Sequence, residues 1–193
     1  MSKKQSLPYD AEVEYLETTK ETGSAKIDIP MVITGYDNDL FVKVMLNDFQ
    51  ANFVMIAGSG STTGNNAYRV SYNQNNQIRF NNGNSLANSI YYTITPGETY
   101  DIKLYHDYTY EINGEKGDLK TGKGNDNVDV ISLFGITNVT YMRLYSFRWV
   151  KGGVTVLDLI PVRKGAEGFM YDKVSGQLFG NSGTGRFIVG PDI

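Results

Sequence analysis

The stretch "NAYRVSYNQNNQIRFN", residues 66–81, contains two runs in which apolar and polar side chains alternate. The apolar positions are Tyr68, Val70, Tyr72, Ile78 and Phe80, and the polar ones are Arg69, Ser71, Asn73, Gln77, Arg79 and Asn81. A period of two is that of a strand with one buried face, and "NQNN" has the composition of a hairpin loop. The stretch therefore predicts two antiparallel strands with a polar outward face.

The same alternation recurs along the chain. "DLFVKVML" (39–46) places four aliphatic side chains on one face, and "YTYEI" (108–112) runs into Asn113-Gly114, a strong hairpin signal. Phe147 and Trp149 alternate in phase with Tyr145, which predicts a core position or a subunit contact for Trp149. Helical patterns are poor, and we interpret residues 10–20 as the first strand. Many short strands and almost no helix predict an all-β fold of two packed sheets or a closed barrel.

The length, charge and composition of the chain exclude several kinds of function. A chain of 193 residues is most simply one domain, and we predict an N-terminal arm at 1–8 and a single domain at 9–193. A net charge of −3 argues against a nucleic-acid partner, and zero cysteines exclude disulfides and thiolate metal sites. No apolar run is long enough for a bilayer-spanning helix, so we expect no membrane insertion. The basic start has no apolar stretch behind it, which argues against a secretory signal.

The glycine-rich stretch "GFMYDKVSGQLFGNSGTGRF" (168–187) raises the possibility of a phosphate-binding loop. Such a loop needs a helix after it, whereas a β-type run, residues 186–189, follows Gly185. We therefore predict that these glycines serve turns and close packing. Asp172 is expected to cap its own turn, with Ser175-Gly176 closing it.

Both ends of the chain resemble a known family. "YDAEVEYLETT" (9–19) and "RLYSFRW…VLDLIPVRKGAEGFMYDKVSGQLFGNSGTGRFIVGPD" (143–192) are similar to laminin-G-like, concanavalin A-like jelly-roll domains of gut bacteria and their phages. The resemblance implies a two-sheet antiparallel jelly-roll sandwich. It also implies binding of sugars, protein partners or other copies of the chain, since most such domains have no catalytic residues.

Sugar binding calls for aromatic rings that stack on a pyranose and polar groups that bond its hydroxyls. The candidate ligand-binding residues are Arg69, Asn73, Arg79, Asn81, Tyr91, Tyr105, Tyr108 and Tyr110. The alternative for each of them is ordinary packing in the core or at the rim of a sheet.

Two Asx-rich loops are candidates for calcium, which prefers clustered oxygen ligands. Asp37 and Asp39 lie in "GYDNDL" (35–40), and Asp126 and Asp129 lie in "GNDNVD" (124–129). Loops of this composition are also common as turns without any metal.

Two places in the sequence contain residues that could act in catalysis. Glu12, Glu14 and Glu17 in "EVEYLE" resemble the E-x-D-x-x-E motif of jelly-roll β-glucan glycosidases, with Glu at the central Asp position. A regular strand puts Glu17 on the face opposite Glu12, which works against a carboxylate pair. His106 beside Asp107 could be a general base or a metal ligand, but a single loop histidine is usually neither. We predict that the protein is not an enzyme.

These observations favour a non-catalytic binding domain on a phage virion surface, as a capsid decoration or fibre protein. It would act as a homo-oligomer or assembly subunit that adheres to glycans or docks on virion proteins. The alternative is an extracellular carbohydrate-binding module on a bacterial cell surface. A second alternative is a glucan-cleaving glycosidase.

Overall fold

A computed structural model of the chain describes residues 7–22, 24–33, 35, 37–47, 54–59, 68–82, 91–119, 128–135 and 141–193. Within these residues strands and turns account for almost all of the structure, and the helical part is one 3-10 turn at Lys20–Thr22. The strands are β1 (Ala11–Glu12), β2 (Leu16–Thr18), β3 (Ile27–Ile33), β4 (Asn38–Leu46), β5 (Val54–Ser59), β6 (Tyr68–Asn73), β7 (Gln77–Asn82), β8 (Tyr91–Thr93), β9 (Thr99–Leu104), β10 (Thr109–Ile112), β11 (Glu115–Asp118), β12 (Val128–Leu133), β13 (Met142–Lys151), β14 (Val154–Lys164), β15 (Glu167–Asp172), β16 (Leu178–Phe179) and β17 (Ile188–Val189).

The described strands form two antiparallel sheets. The larger sheet has the order β11-β10-β9-β4-β13-β14-β15-β16, with β1 beside β14 and β2 between β13 and β17. The smaller sheet has the order β3-β12-β5-β6-β7-β8. The all-β, two-sheet prediction is confirmed.

The two sheets pack face to face through the apolar positions of the alternating runs. Tyr68 on β6 donates its hydroxyl to the Leu104 carbonyl of the larger sheet at 2.8 Å, and its ring lies 5.4 Å from that of Trp149. Phe80 on β7 stacks on Tyr110 with ring centroids 4.7 Å apart. These contacts between sheets bury the apolar faces and leave the polar positions pointing outward.

Local turn chemistry fixes the register of the β6–β7 hairpin. Asn73 Oδ1 accepts the backbone N–H groups of Asn75 and Gln77, both at 3.0 Å, and Asn76 adopts a positive φ of 55°. The predicted Asn113-Gly114 turn is also present, with both residues at positive φ. In each case an asparagine accepts the left-handed conformation that a tight hairpin requires.

One phase prediction is wrong because of a β-bulge. Phe147 and Trp149 are fully buried as expected, and Trp149 Nε1 donates to Asn38 Oδ1 at 3.1 Å. A register shift between Leu144 and Ser146 breaks the alternation, so Tyr145 faces outward, with its ring 5.7 Å from that of Tyr15. An extra residue in one strand reverses the face of every residue before it.

The predicted first strand at residues 10–20 is divided in two. β1 pairs with β14, whereas β2 pairs with β13 and β17. Between them Glu14 N donates to the Pro191 carbonyl at 2.9 Å, so the segment changes partners as it crosses the sheet. Of the predicted arm at 1–8, residues 1–6 lie outside the described residues, and the division into arm and domain stays a prediction.

The glycine-rich C-terminal stretch serves the backbone, as expected. The loop after β16 lies against the segment that enters β3, with Ser182 N donating to the Lys26 carbonyl at 2.8 Å. A strand, β17, follows the glycines where a phosphate loop would need a helix. The turn between β15 and β16 is capped by the Asp172 carboxylate and contains Gly176 at a φ of 74°.

Candidate functional site

The central strands of the smaller sheet bring four of the predicted binding residues onto one surface. Arg69 on β6 lies directly opposite Asn81 on β7, and Ser71 lies opposite Arg79. On the other side of β7, Tyr91 on β8 lies opposite Arg79. Opposed side chains on one face stand about 5 Å apart at Cβ, so these residues form one continuous cluster. We call this surface, made of Arg69, Ser71, Arg79, Asn81 and Tyr91, the outer face of the smaller sheet.

This cluster is unusual because its polar side chains are buried. Ser71, Arg79 and Asn81 are only 5%, 6% and 7% exposed, whereas Tyr91 at the edge is 49% exposed. Arginine and asparagine are ordinarily solvent-exposed, so the burial of Arg79 and Asn81 is unusual. The surface therefore combines desolvated polar groups with one accessible aromatic ring, which is the composition of a small-ligand site.

Two buried polar atoms of the cluster have no hydrogen-bond partner within the described part of the chain. They are Arg69 Nε and Asn81 Oδ1, which belong to the directly opposed pair. Buried polar groups in folded proteins are nearly always hydrogen-bonded, and leaving one without a partner costs about 1–3 kcal/mol. A donor and an acceptor of this kind, side by side, favour a role in ligand recognition.

Asn73, the remaining predicted binding residue on β6, has a structural role. Its Oδ1 is used by the hairpin turn described above, and its Nδ2 donates to Gln77 Oε1 at 3.1 Å. Asn73 therefore positions the cluster by fixing the β6–β7 register.

Positive charge accumulates on this face. Burial, with a further contribution from the charge of Arg79, lowers the pKa of the Arg69 guanidinium below its usual range. On the larger sheet, two of the cations have carboxylate partners. Arg143 Nε lies 3.2 Å from Glu17 Oε2, and Lys103 is paired with Glu111. A cation such as the Arg69 guanidinium, which lies partly out of water, attracts an anion more strongly than a cation at the surface does.

Comparisons with solved structures find the same architecture. A Bacteroides ovatus protein whose proposed activity is carbohydrate binding matches with a TM-score of 0.61 at 10% identity, over 93% of this chain and 60% of that one. The fold is a jelly-roll sandwich. A Trypanosoma rangeli sialidase with a bound inhibitor matches with a TM-score of 0.49 at 13% identity, over 63% of this chain and 21% of that one. This chain thus spans less than two thirds of either protein, and at such identities the likeness concerns the fold.

No protein-family model matches the chain, and the comparison with curated proteins gives no match. The function is therefore inferred from the arrangement of side chains on the jelly-roll sandwich.

The three remaining tyrosine candidates do not join the cluster. Tyr110 stacks on Phe80 between the sheets, and its ring fills the space that a side chain at Gly117 would need. Tyr108 has a positive φ of 67° and packs against the core, while Tyr105 contacts Phe41 with ring centroids 5.9 Å apart. The three rings thus lie in different environments, although they are close in sequence.

The sequence pattern did not predict two features of the outer face of the smaller sheet. Gly58 on β5 lies opposite Arg69 at a φ of 135°, and an added Cβ would come 2.5 Å from the Arg69 Cα. Met55 lies opposite Ser71 and is 6% exposed, so it adds an apolar group beside the polar cluster. A glycine inside a strand is the one available signal for such a close approach.

The calcium prediction stays open. Among the described residues no group of three or more His, Cys, Asp or Glu side chains is arranged to hold a metal. Asp37 is exposed, and Asp39 binds His106. Asp126 lies outside the described residues, as does the side chain of Asp129.

The contact between Asp39 and His106 gives a pH-dependent prediction. The backbone N–H of His106 donates to Asp39 Oδ1 at 2.9 Å, and Nδ1 lies 2.8 Å from the same oxygen. The hydrogen bond to Asp39 raises the pKa of His106 above its ordinary value of 6.5. The resulting stabilisation is complete below about pH 6.5 and is lost as pH rises through the raised folded pKa.

Because the His106 side chain is 52% exposed, we expect the stabilisation to stay below about 1 kcal/mol. An NMR titration of this single histidine should give a pKa above 6.5, and Asp39→Asn should bring it back toward 6.5. An unchanged titration midpoint in Asp39→Asn would contradict this assignment.

The three candidate catalytic carboxylates, Glu12, Glu14 and Glu17, have different surroundings and do not share a partner. Glu12 Oε1 accepts a hydrogen bond from the Tyr9 hydroxyl at 3.1 Å, whereas Glu17 pairs with Arg143. Glu14 is exposed, in the segment where the chain leaves β1.

No helix among the described residues has the length and apolar character of a membrane span.

A cavity of about 530 Å³ lies between β15 and the loop after β16, away from the Arg69 cluster. Its polar wall includes Asn181, whose Oδ1 accepts the backbone N–H groups of Lys26 and Gly183 at 3.1 and 2.8 Å. Asn181 Nδ2 donates to the Gly185 carbonyl. Because these groups hold the loop in place, we regard the cavity as a weaker candidate than the outer face of the smaller sheet.

Proposed function

We propose that this protein is a non-catalytic glycan-binding domain whose binding surface is the outer face of the smaller sheet. The observation that carries the proposal is the cluster of half-buried Arg69 with buried Arg79 and Asn81, beside the half-exposed ring of Tyr91. Guanidinium and amide groups bond sugar hydroxyls, and a tyrosine ring packs on the apolar face of a pyranose. The carbohydrate-binding activity proposed for the Bacteroides ovatus protein of the same fold is in line with this reading.

The finer proposal is a laminin-G-like, concanavalin A-like domain on a phage virion surface, as a capsid decoration or fibre protein. The sequence resemblance of residues 143–192 supports it. In this setting the chain would work as a homo-oligomer or as an assembly subunit among virion proteins. A bacterial cell-surface carbohydrate-binding module is the alternative, and the Bacteroides ovatus neighbour favours it. Sedimentation of the purified protein separates the two, since a strict monomer counts against the virion role.

The absence of catalysis is also part of the proposal. It is supported by the separate contacts of Glu12 and Glu17, because a retaining glycosidase needs two carboxylates about 5 Å apart across the scissile bond. Calcium remains a proposed accessory ion rather than a requirement of this surface. A chelator that abolishes glycan binding would assign it a direct role.

A glycan panel tests the binding function directly. The purified protein should bind one class of glycan, and Tyr91→Ala should weaken that binding about tenfold through loss of the ring's packing surface. Tyr105→Ala is the matched control, because Tyr105 lies against Phe41 on the larger sheet. Loss of binding in Tyr105→Ala with full binding in Tyr91→Ala would place the site on the other sheet.

A further inference from the structure

We propose that the ligand of this surface is an acidic sugar, and that its carboxylate binds the Arg69 guanidinium while Asn81 Oδ1 accepts a neighbouring sugar hydroxyl. This inference rests on the proposed function, because it names the class of glycan that the same surface would take. It starts from the directly opposed pair Arg69 and Asn81, which presents one donor and one acceptor without partners in the described part of the chain.

The charge of the cluster selects an anion rather than a neutral sugar. Arg79 lies on the same face, diagonal to Arg69 across the β6–β7 pair, at a Cβ distance of about 7 Å. A positive charge at this spacing repels the partly desolvated Arg69 guanidinium, and an anion bound to that guanidinium offsets the repulsion. The lowered pKa of Arg69 has the same cause, since burial and Arg79 both disfavour its charged form.

The geometry of the donor favours a carboxylate. A guanidinium presents Nε and one Nη as a planar fork that matches the two oxygens of a carboxylate. The unpartnered Nε of Arg69 is one arm of this fork. Asn81 has no charge and is 93% buried, so its Oδ1 is suited to a hydroxyl next to the carboxylate. Tyr91 on β8, opposite Arg79 and diagonal to Asn81, supplies the ring against which the sugar packs.

Thermal stability distinguishes a ligand-binding role of Arg69 from a structural one. A guanidinium that stabilises the fold through its contacts should destabilise the protein when removed. A half-buried guanidinium whose buried Nε has no partner among the described residues should not, because its desolvation opposes folding. Arg69→Met, which keeps the apolar stem, is therefore expected to unfold at the same temperature as the wild type or higher.

The test is calorimetric titration of the full chain with trigalacturonate and with its fully methyl-esterified form, which has the same ring skeleton without charge. We expect the acid to bind at least tenfold more tightly than the ester. Arg69→Met should lose at least tenfold in affinity for the acid, and Arg69→Lys, which keeps the charge without the fork, should lose affinity to a smaller extent. Arg148→Met is the matched control, because Arg148 is exposed on the larger sheet over the ring of Phe41.

Each outcome has a definite meaning. Equal binding of acid and ester, unaffected by Arg69→Met, would overturn the acidic-sugar assignment and leave glycan binding intact. Binding of a sulfated galactan but not of the uronate, lost in Arg69→Met, would reject the carboxylate in favour of a sulfate ester. Failure of every glycan on the panel to bind would overturn the proposed function itself. Unfolding of Arg69→Met well below the wild-type temperature would assign Arg69 a structural role.

Discussion

Replacing Asp172 with alanine is expected to lower the free energy of unfolding by about 3 to 4 kcal/mol. The carboxylate is 1% exposed and accepts four hydrogen bonds. Oδ1 accepts the backbone N–H groups of Asp158 and Val174 at 2.9 and 3.1 Å. Oδ2 accepts the backbone N–H and the hydroxyl of Ser175 at 3.0 and 2.6 Å. Alanine would leave three backbone donors without their acceptor at the point where β14, β15 and the next turn meet.

Chemical denaturation of the variant measures this loss, and two further variants define its origin. Ser175→Ala removes the hydroxyl and keeps the backbone contacts of Asp172, so it should cost about 1 kcal/mol. Asp172→Asn keeps an acceptor for Asp158 and Val174 but puts an amide against the Ser175 N–H, so it should fall between the two. An Asp172→Ala variant within 1 kcal/mol of the wild type would show that water replaces these bonds.

Much of the fold follows from side-chain alternation. Leu40, Val42, Val44 and Leu46 share one face in the sequence, and all four are buried. The pattern could not reveal the bulge between Leu144 and Ser146, because an extra residue leaves no mark in the composition of a strand. Nor could it show that residues 10–20 pair with three different strands, since that pairing depends on where distant segments arrive.

The candidate site was partly predictable for the same reason. Alternation put Arg69 and Arg79 on the outward face, and the Asn-rich turn fixed the register that brings Arg69 to Asn81. The contribution of Tyr91 depends on the pairing of β7 with β8, which the sequence does not specify. The sequence also could not show that Arg79 and Asn81 are buried, because a polar residue on the outward face of a sheet is ordinarily exposed to solvent.

Close approach of two backbones makes Gly183 a further critical position. An added Cβ would lie 1.8 Å from the Ser24 carbonyl oxygen and 3.2 Å from Lys26 N. Both obstacles are backbone atoms, and the adjacent residues tie them down, with Ser182 N donating to the Lys26 carbonyl at 2.8 Å. We therefore expect Gly183→Ala to force the loop away from the segment entering β3 and to destabilise the protein by about 3 kcal/mol.

Gly165→Ala separates this steric effect from the conformational freedom of glycine. Gly165 has a φ of 61° with nothing within 4 Å of its added Cβ, so alanine there pays only the left-handed penalty of about 1 to 2 kcal/mol. Thermal unfolding should rank Gly183→Ala below Gly165→Ala, and hydrogen exchange should report new exposure at Ser182 N and Lys26 N in Gly183→Ala alone. If both variants unfold at the same temperature, the contact with Ser24 is not the reason that position 183 requires glycine. The C-terminal loop would then be able to move away from Ser24 at little cost.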